Sequence, residues 1–168
     1  MIRSKPLCKE SHAFERIEDL YASAFPTEER GPLEALMKRA ESDDIELMAF
    51  YDDDVLIGFS YYTFTASYLY VLFLAVETNL RSKGYGSQIL EYFEARFADC
   101  CIALDIPVED SAASDNAQRI KRRAFYINNG FASSGLTMEE KGVTYEVLVK
   151  NGSISADDLS HAFKRLEG

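Results

Sequence analysis

Residues Val71 to Leu90, near the middle of the chain, constrain the fold more than any others. They read VLFLAVETNLRSKGYGSQIL. The run opens with consecutive apolar residues from Val71 to Val76. A strand with one wet face would alternate, so this pattern predicts a central strand covered on both faces. A polar hinge, Glu77-Thr78-Asn79-Leu80, leads to Arg81-Ser82-Lys83-Gly84-Tyr85-Gly86-Ser87, and an amphipathic helix follows. Gly84 and Gly86 let the backbone come close to a ligand. A helix that begins there presents unpaired N–H groups and the positive end of its dipole. Such an arrangement holds anions, most often phosphates.

Two common phosphate-binding patterns do not fit. The loop lacks the terminal Gly-Lys-Ser/Thr of a nucleoside-triphosphate site. Only two glycines of a dinucleotide fingerprint are in register, and no matching acid follows the next strand. What remains is Arg-x-x-Gly-x-Gly between a buried strand and a helix.

The flanking sequence supplies the other elements. Met1 to Cys8 reads as a short edge strand limited by Pro6. Phe14, Ile17, Leu20, Tyr21 and Phe25 recur at helical spacing until Pro26. A second helix begins at Pro32. Ile45–Tyr51 and Val55–Thr65 flank an Asp52-Asp53-Asp54 turn as a hairpin, and Leu69–Glu77 is the next strand. Gly86–Asp99 is helical, with Ile89, Leu90, Phe93 and Phe97 on one side. Cys101–Val108 is a strand joined to the previous one in parallel by that helix. Asn116–Asn129 is a helix closed by Gly130. Phe131–Met138 and Val143–Lys150 form a last hairpin. Ser155-Ala156-Asp157-Asp158 caps a final helix carrying Leu159, Phe163 and Leu166. The order predicts one mixed α+β domain spanning residues 1–168.

Charge narrows the partners. The chain of 168 residues has a formal net charge of −10, which disfavours nucleic acid. Seven carboxylates and no cation lie between Glu41 and Asp54, whereas Arg119 to Arg123 holds four cations and no acid. These segments are either two solvated faces or a lure for a cationic substrate on one side and an anionic cofactor on the other. No run approaches the ~20 apolar residues of a membrane span. The N-terminus lacks an apolar signal segment. A cytoplasmic protein with no membrane partner is expected. Cys8, Cys100 and Cys101 lack metal-site spacing, so reduced and mostly buried thiols and no metal are expected. His12 and His161 fall in terminal helices as surface residues.

The Arg81-x-x-Gly84-x-Gly86 loop resembles that of the GCN5-related N-acetyltransferase (GNAT) superfamily. In that family, Arg/Gln-x-x-Gly-x-Gly/Ala after the fourth strand grips the pyrophosphate of acetyl-coenzyme A. Asn116, then Arg122-Arg123-Ala124-Phe125-Tyr126, then Gly130-Phe131 looks like the family's Asn…Phe-Tyr-x-x-x-Gly-Phe signature. Phe25-Pro26-Thr27-Glu28-Glu29-Arg30-Gly31-Pro32 resembles a Phe-Pro-x-x-Glu-Arg segment of many bacterial members. The element order matches over nearly the whole chain.

The resemblance implies a mostly antiparallel twisted sheet of about seven strands, splayed between the fourth and fifth and flanked by helices, with an extra C-terminal helix here. It implies that Leu74, Ala75 and Val76 pair with the pantetheine arm of acetyl-coenzyme A, the cosubstrate. Arg81, Ser82, Lys83, Gly84, Tyr85, Gly86 and Ser87 would hold its pyrophosphate, and Asn116 would bond the arm. The Arg119–Arg123 cluster is either a solvated helix face or a further contact to the phosphates. The implied reaction is direct acetyl transfer to a primary amine, with Tyr126 near the sulfur as proton donor and an amide near Val76 stabilising the oxyanion.

The base stays open. The family's usual glutamate position on the fourth strand corresponds to Tyr70. Leu104-Asp105-Ile106 resembles another branch's Leu-Glu-Val, which makes Asp105 the leading candidate. Glu109, Glu77, Glu28 or a water relay are the alternatives. The acceptor is a small-molecule or protein amine, with a cationic compound suggested by Glu41–Asp54 and Glu28-Glu29. Its pocket should be built from the N-terminal helices and the final hairpin. A homodimer follows by resemblance. The missing fourth-strand carboxylate leaves a second class in play, a non-catalytic acyl-coenzyme A binding or sensing module.

Overall fold

The apolar run becomes the middle strand of a seven-stranded sheet whose order is β1-β2-β3-β4-β5-β7-β6. The computed structural model describes residues 2–25 and 30–167. Strands β1 (Ile2–Pro6), β2 (Ile45–Asp52), β3 (Val55–Phe64) and β4 (Tyr68–Val76) run antiparallel in sequence order. Strand β5 (Cys101–Pro107) joins β4 in parallel, after the crossover helix α3 (Tyr85–Arg96). Strand β7 (Val143–Lys150) lies antiparallel to β5, and β6 (Ala132–Glu140) forms the outer edge. The expected GNAT fold is present, including its mostly antiparallel sheet.

Two apolar layers cover the sheet. Helices α1 (Phe14–Ala24), α2 (Leu33–Arg39) and α5 (Ala156–Glu167) lie on one face, contributing Ile17, Leu36 and Leu166 to a buried cluster with Tyr61, Tyr70 and Phe73. Helices α3 and α4 (Asn116–Asn128) lie on the other, where Ile89, Phe93 and Tyr126 pack with Leu69, Val71 and Leu104. Ser155 caps α5 by accepting the Asp158 N–H through its hydroxyl at 3.0 Å, as the sequence predicts. Helix α3 begins at Tyr85 and stops at Arg96, shorter than predicted, because Phe97 leaves helical geometry. The cysteines are all free. Cys100 and Cys101 are buried, while Cys8 is exposed.

The sheet divides at its centre. The β4–β5 ladder holds four residue pairs and ends at Val71 opposite Leu104. Beyond that point β4 continues along β3, and β5 continues along β7. A bulge marks the division on β4. Tyr61 opposes Phe73 and Tyr62 opposes Val71, so Leu72 is the extra residue. Leu72 and Phe73 therefore both turn toward the α1–α2–α5 layer, which regular alternation forbids. Gly58 holds the other side of this strand. A Cβ there would stand 2.2 Å from the Ala75 carbonyl oxygen, so only glycine permits the close approach of β3 to β4.

Candidate active site

The residues just past the division, Leu72 and Phe73 on β4 and Asp105 and Pro107 on β5, floor a cavity of about 340 Å³. Its walls come from distant parts of the chain. Phe25, Arg30, Leu36 and Arg39 enter from the N-terminal helical region, and Met138, Glu140, Lys141 and Tyr145 enter from the β6–β7 hairpin. Helix α5 adds Phe163, Leu166 and Glu167, and α4 adds Arg122. The hairpin and N-terminal helices form walls as the sequence suggests. The contribution of α5 and Arg122 is new.

Strand alternation places Asp105 on the α1–α2–α5 face, in line with Cys101 and Ala103. Tyr70, which the sequence resemblance sets where a base is expected, is wholly buried on the same face. Its hydroxyl makes no hydrogen bond of normal geometry. Burial first, and then the neighbouring Asp105 carboxylate, push its pKa well above the ordinary value. A phenol held this firmly protonated cannot act as a base at neutral pH. Tyr126 approaches from the opposite face and is 8% exposed. Burial raises its pKa from 10.0 to about 12, with Arg122 opposing the shift and Asp105 adding to it. The phenol thus keeps its proton and stays neutral at neutral pH. Asp105 and Arg122 both line the cavity and both act electrostatically on the Tyr126 phenol, which is not itself part of the described lining.

The remaining base candidates stand apart. Among the described residues, Glu77 and Glu109 do not line the cavity. Glu77 faces Arg16 at 3.4 Å, and Glu109 is exposed. Glu28 lies outside the described residues.

The glycine loop begins at the far end of β4. Leu74, Ala75 and Val76 pair with Ser60, Phe59 and Gly58 on β3, and no described residue extends a ladder to them from β5. Ser82 and Gly84 both have positive φ, 65° and 85°, with Lys83 between them. Backbone of this kind curls successive N–H groups around a concavity suited to anions. Gly84 precedes α3, and no side chain caps that helix, so the first N–H groups of Tyr85, Gly86 and Ser87 have no side-chain partner there. Gly86 lies against α4, where a Cβ would come within 2.8 Å of the Phe125 ring.

Several side chains serve the scaffold more directly than any ligand. Arg81 folds back and donates from Nε to the Val76 carbonyl at 3.2 Å, pinning the loop to the strand end. The Tyr85 hydroxyl donates to Asp52 at 2.7 Å, so this residue offers its backbone to the loop. Asn116 accepts the Asp110 N–H through Oδ1 at 2.8 Å, ordering the loop before α4 and leaving its Nδ2 hydrogens as donors. Arg119 pairs with Asp115 at 2.9 Å and bonds the Val108 carbonyl, while Arg123 pairs with Glu146 at 3.1 Å. These two arginines belong to the local framework, and Arg122 is the member of the cluster that lines the cavity.

The acidic stretch is dispersed in the same way. No described residue from Glu41 to Asp54 lines the cavity. Asp44 pairs with Arg165 at 3.3 Å. Glu46 takes the Arg96 guanidinium and the Tyr62 hydroxyl; burial opposes its ionisation, but those two donors win and hold its pKa below the ordinary value.

A family model described as Acetyltransferase (GNAT) domain matches residues 43–133. Among solved structures, an acetyltransferase of the GNAT family from Bacteroides thetaiotaomicron is similar at 24% identity, covering 98% of this chain and 94% of that one, with a TM-score of 0.74. An aminoglycoside 6'-N-acetyltransferase complexed with coenzyme A is similar at 17% identity, covering 88% and 96% of the two chains, with a TM-score of 0.65. The ribosomal-protein-S18-alanine N-acetyltransferase from Escherichia coli is similar at 14% identity, covering 94% and 98%, with a TM-score of 0.63. No curated protein sequence matches the chain.

Proposed function

The chain belongs to the GNAT acetyltransferase domain family, and on that footing we propose that residues 1–168 act as one domain, an acetyl-CoA-dependent N-acetyltransferase that modifies a primary amine directly. The observation that supports this reading best is the gap where β4 leaves β5, with Asp105 lining the cavity beside it and its charge acting on the Tyr126 phenol from the other face.

The residues on either side of the gap suit coenzyme A. The edge of Leu74, Ala75 and Val76 has no β5 ladder, with Arg81 taking the Val76 carbonyl, and the amides of a pantetheine arm suit the rest of that edge. The concave backbone from Ser82 to Ser87 and the uncapped start of α3 suit a pyrophosphate, with Arg81 and Lys83 adding positive charge to the loop. Asn116 retains two amide hydrogens for the arm.

Acetyl-CoA, when bound, supplies an activated acyl group as a thioester whose thiolate departs. The rest falls to the protein. An alkylammonium loses its proton only near pH 10, so the acceptor arrives cationic and needs a base. Asp105 at the cavity floor takes that proton, directly or through one water. Tyr126 holds a proton on its phenol oxygen at neutral pH and delivers it to the departing sulfur. Phe25, Leu36, Leu72 and Phe163 make part of the cavity wall apolar, beside its charged residues.

Thiol release from acetyl-CoA, followed across a panel of amines, tests the proposal. Tyr126→Phe and Asp105→Asn should each lower kcat by roughly 100-fold or more, with acetyl-CoA affinity retained in calorimetry. Acetyl-CoA binding without transfer to any amine would instead mark an acyl-CoA-binding module. A chain that does not bind acetyl-CoA overturns the reading altogether.

A further inference from the structure

The described lining of the cavity carries Arg30, Arg39, Arg122 and Lys141 against Asp105, Glu140 and Glu167. In the chain as a whole, acids outnumber Lys and Arg by 28 to 18. Among the described residues, the cavity lining thus departs from the acidic balance of the chain as a whole. A site built for a polycation would concentrate the plentiful carboxylates there, yet Asp44, Glu46 and Asp52 are engaged on other faces. Two of the three carboxylates in the cleft also oppose each other. Burial first, and then the nearby Glu140, raise the Glu167 pKa, with Lys141 and Arg39 opposing the shift.

Arg122 is the informative cation. Its neighbours Arg119 and Arg123 each pair with a carboxylate. Arg122 has no carboxylate within ion-pair distance among the described residues, although its exposed side chain reaches the cavity lining. It acts electrostatically on the Tyr126 phenol, as does Asp105. A guanidinium and a carboxylate therefore line the same cavity of about 340 Å³, so one small ligand can address both.

We propose that the acceptor is a small zwitterion, an amine with an oxyanion group, carboxylate or phosphate, a few atoms from the reacting nitrogen. Arg122 binds that oxyanion while Asp105 faces the ammonium. The planar guanidinium matches either oxyanion with paired N–H donors. The cavity volume of about 340 Å³ suits a compound of amino-acid size. This inference rests on the acetyltransferase reading and narrows its substrate class.

Matched acceptors that differ in the oxyanion alone provide the test. Lysine against cadaverine and arginine against agmatine isolate a carboxylate, and phosphoethanolamine against ethanolamine isolates a phosphate. In at least one pair the member with the oxyanion should have the higher kcat/KM, by roughly 10- to 100-fold. Which pair responds distinguishes carboxylate from phosphate. Arg122→Gln should erase that preference, chiefly through KM, and Arg122→Lys should restore part of it. Equal or better use of the purely cationic member in every pair overturns the inference. So does a preference that survives Arg122→Gln, or a loss of acetyl-CoA affinity in that variant, which would move the arginine to the cofactor side. Acetyl-CoA binding with no transfer to any of the six compounds overturns this inference alone, whereas failure to bind acetyl-CoA overturns both it and the reading beneath it.

Discussion

Tyr70 carries more information than its sequence context suggests. It reads there as one residue in an apolar strand, at a position where relatives place a base. In the folded chain its hydroxyl is fully buried, lacks a normally oriented partner and faces Asp105. A buried hydroxyl without a partner costs on the order of 1–3 kcal/mol. Tyr70→Phe should therefore leave stability unchanged or raise it by up to about 1 kcal/mol in urea denaturation. At this scale the sequence was only partly legible. Tyr126 stood out because phenylalanine, glycine and asparagine surround it at fixed spacing. Arg122 did not, because Arg119, Arg122 and Arg123 differ only in the direction each takes on a helix whose neighbours were unknown. Residues 26–29, with Glu28 and Glu29, fall outside the described part of the chain.

The elements were easier to foresee than the break between them. Consecutive apolar residues predicted the central strand, and glycines predicted the turn into α3. Those same consecutive apolar residues concealed the Leu72 bulge, since a strand without alternation gives no sign of a lost register. Two glycine substitutions distinguish what this region needs. Gly84→Ala meets no atom within 4 Å, so its cost is the left-handed backbone alone, about 1–2 kcal/mol. Gly58→Ala drives a methyl into the Ala75 carbonyl at 2.2 Å and must push β3 from β4, which should cost at least about 3 kcal/mol. Urea denaturation should rank the two accordingly. Acetyl-CoA titration should show weakened binding in both, through the loop in one and the Ala75 edge in the other.

Across the whole molecule, buried tyrosines set the alkaline limit. Burial raises Tyr21 and Tyr126 from 10.0 to about 12, and Tyr62 and Tyr70 are raised as well. The native state keeps these protons after the unfolded chain has released them. Stability should therefore be flat with respect to these groups below about pH 10 and fall between pH 10 and 12. Tyr126 alone accounts for on the order of 2–3 kcal/mol of that loss. Denaturation midpoints and tyrosinate absorbance measured together over this range check it. Tyrosines that titrate near 10 in the folded protein would remove the basis for the fall.

The cavity walls have a consequence of another kind. The proposed cofactor grip runs from Leu74 to Ser87 with Asn116 and Tyr126 added from α4, whereas most of the described pocket lining comes from Phe25 and from residues 30–39 and 138–167. On the proposed reading, acetyl delivery and acceptor choice are thus inherited largely in different parts of the chain, so point changes in α2, the β6–β7 hairpin or α5 would redirect the choice of amine while the delivery apparatus passes unaltered to descendants.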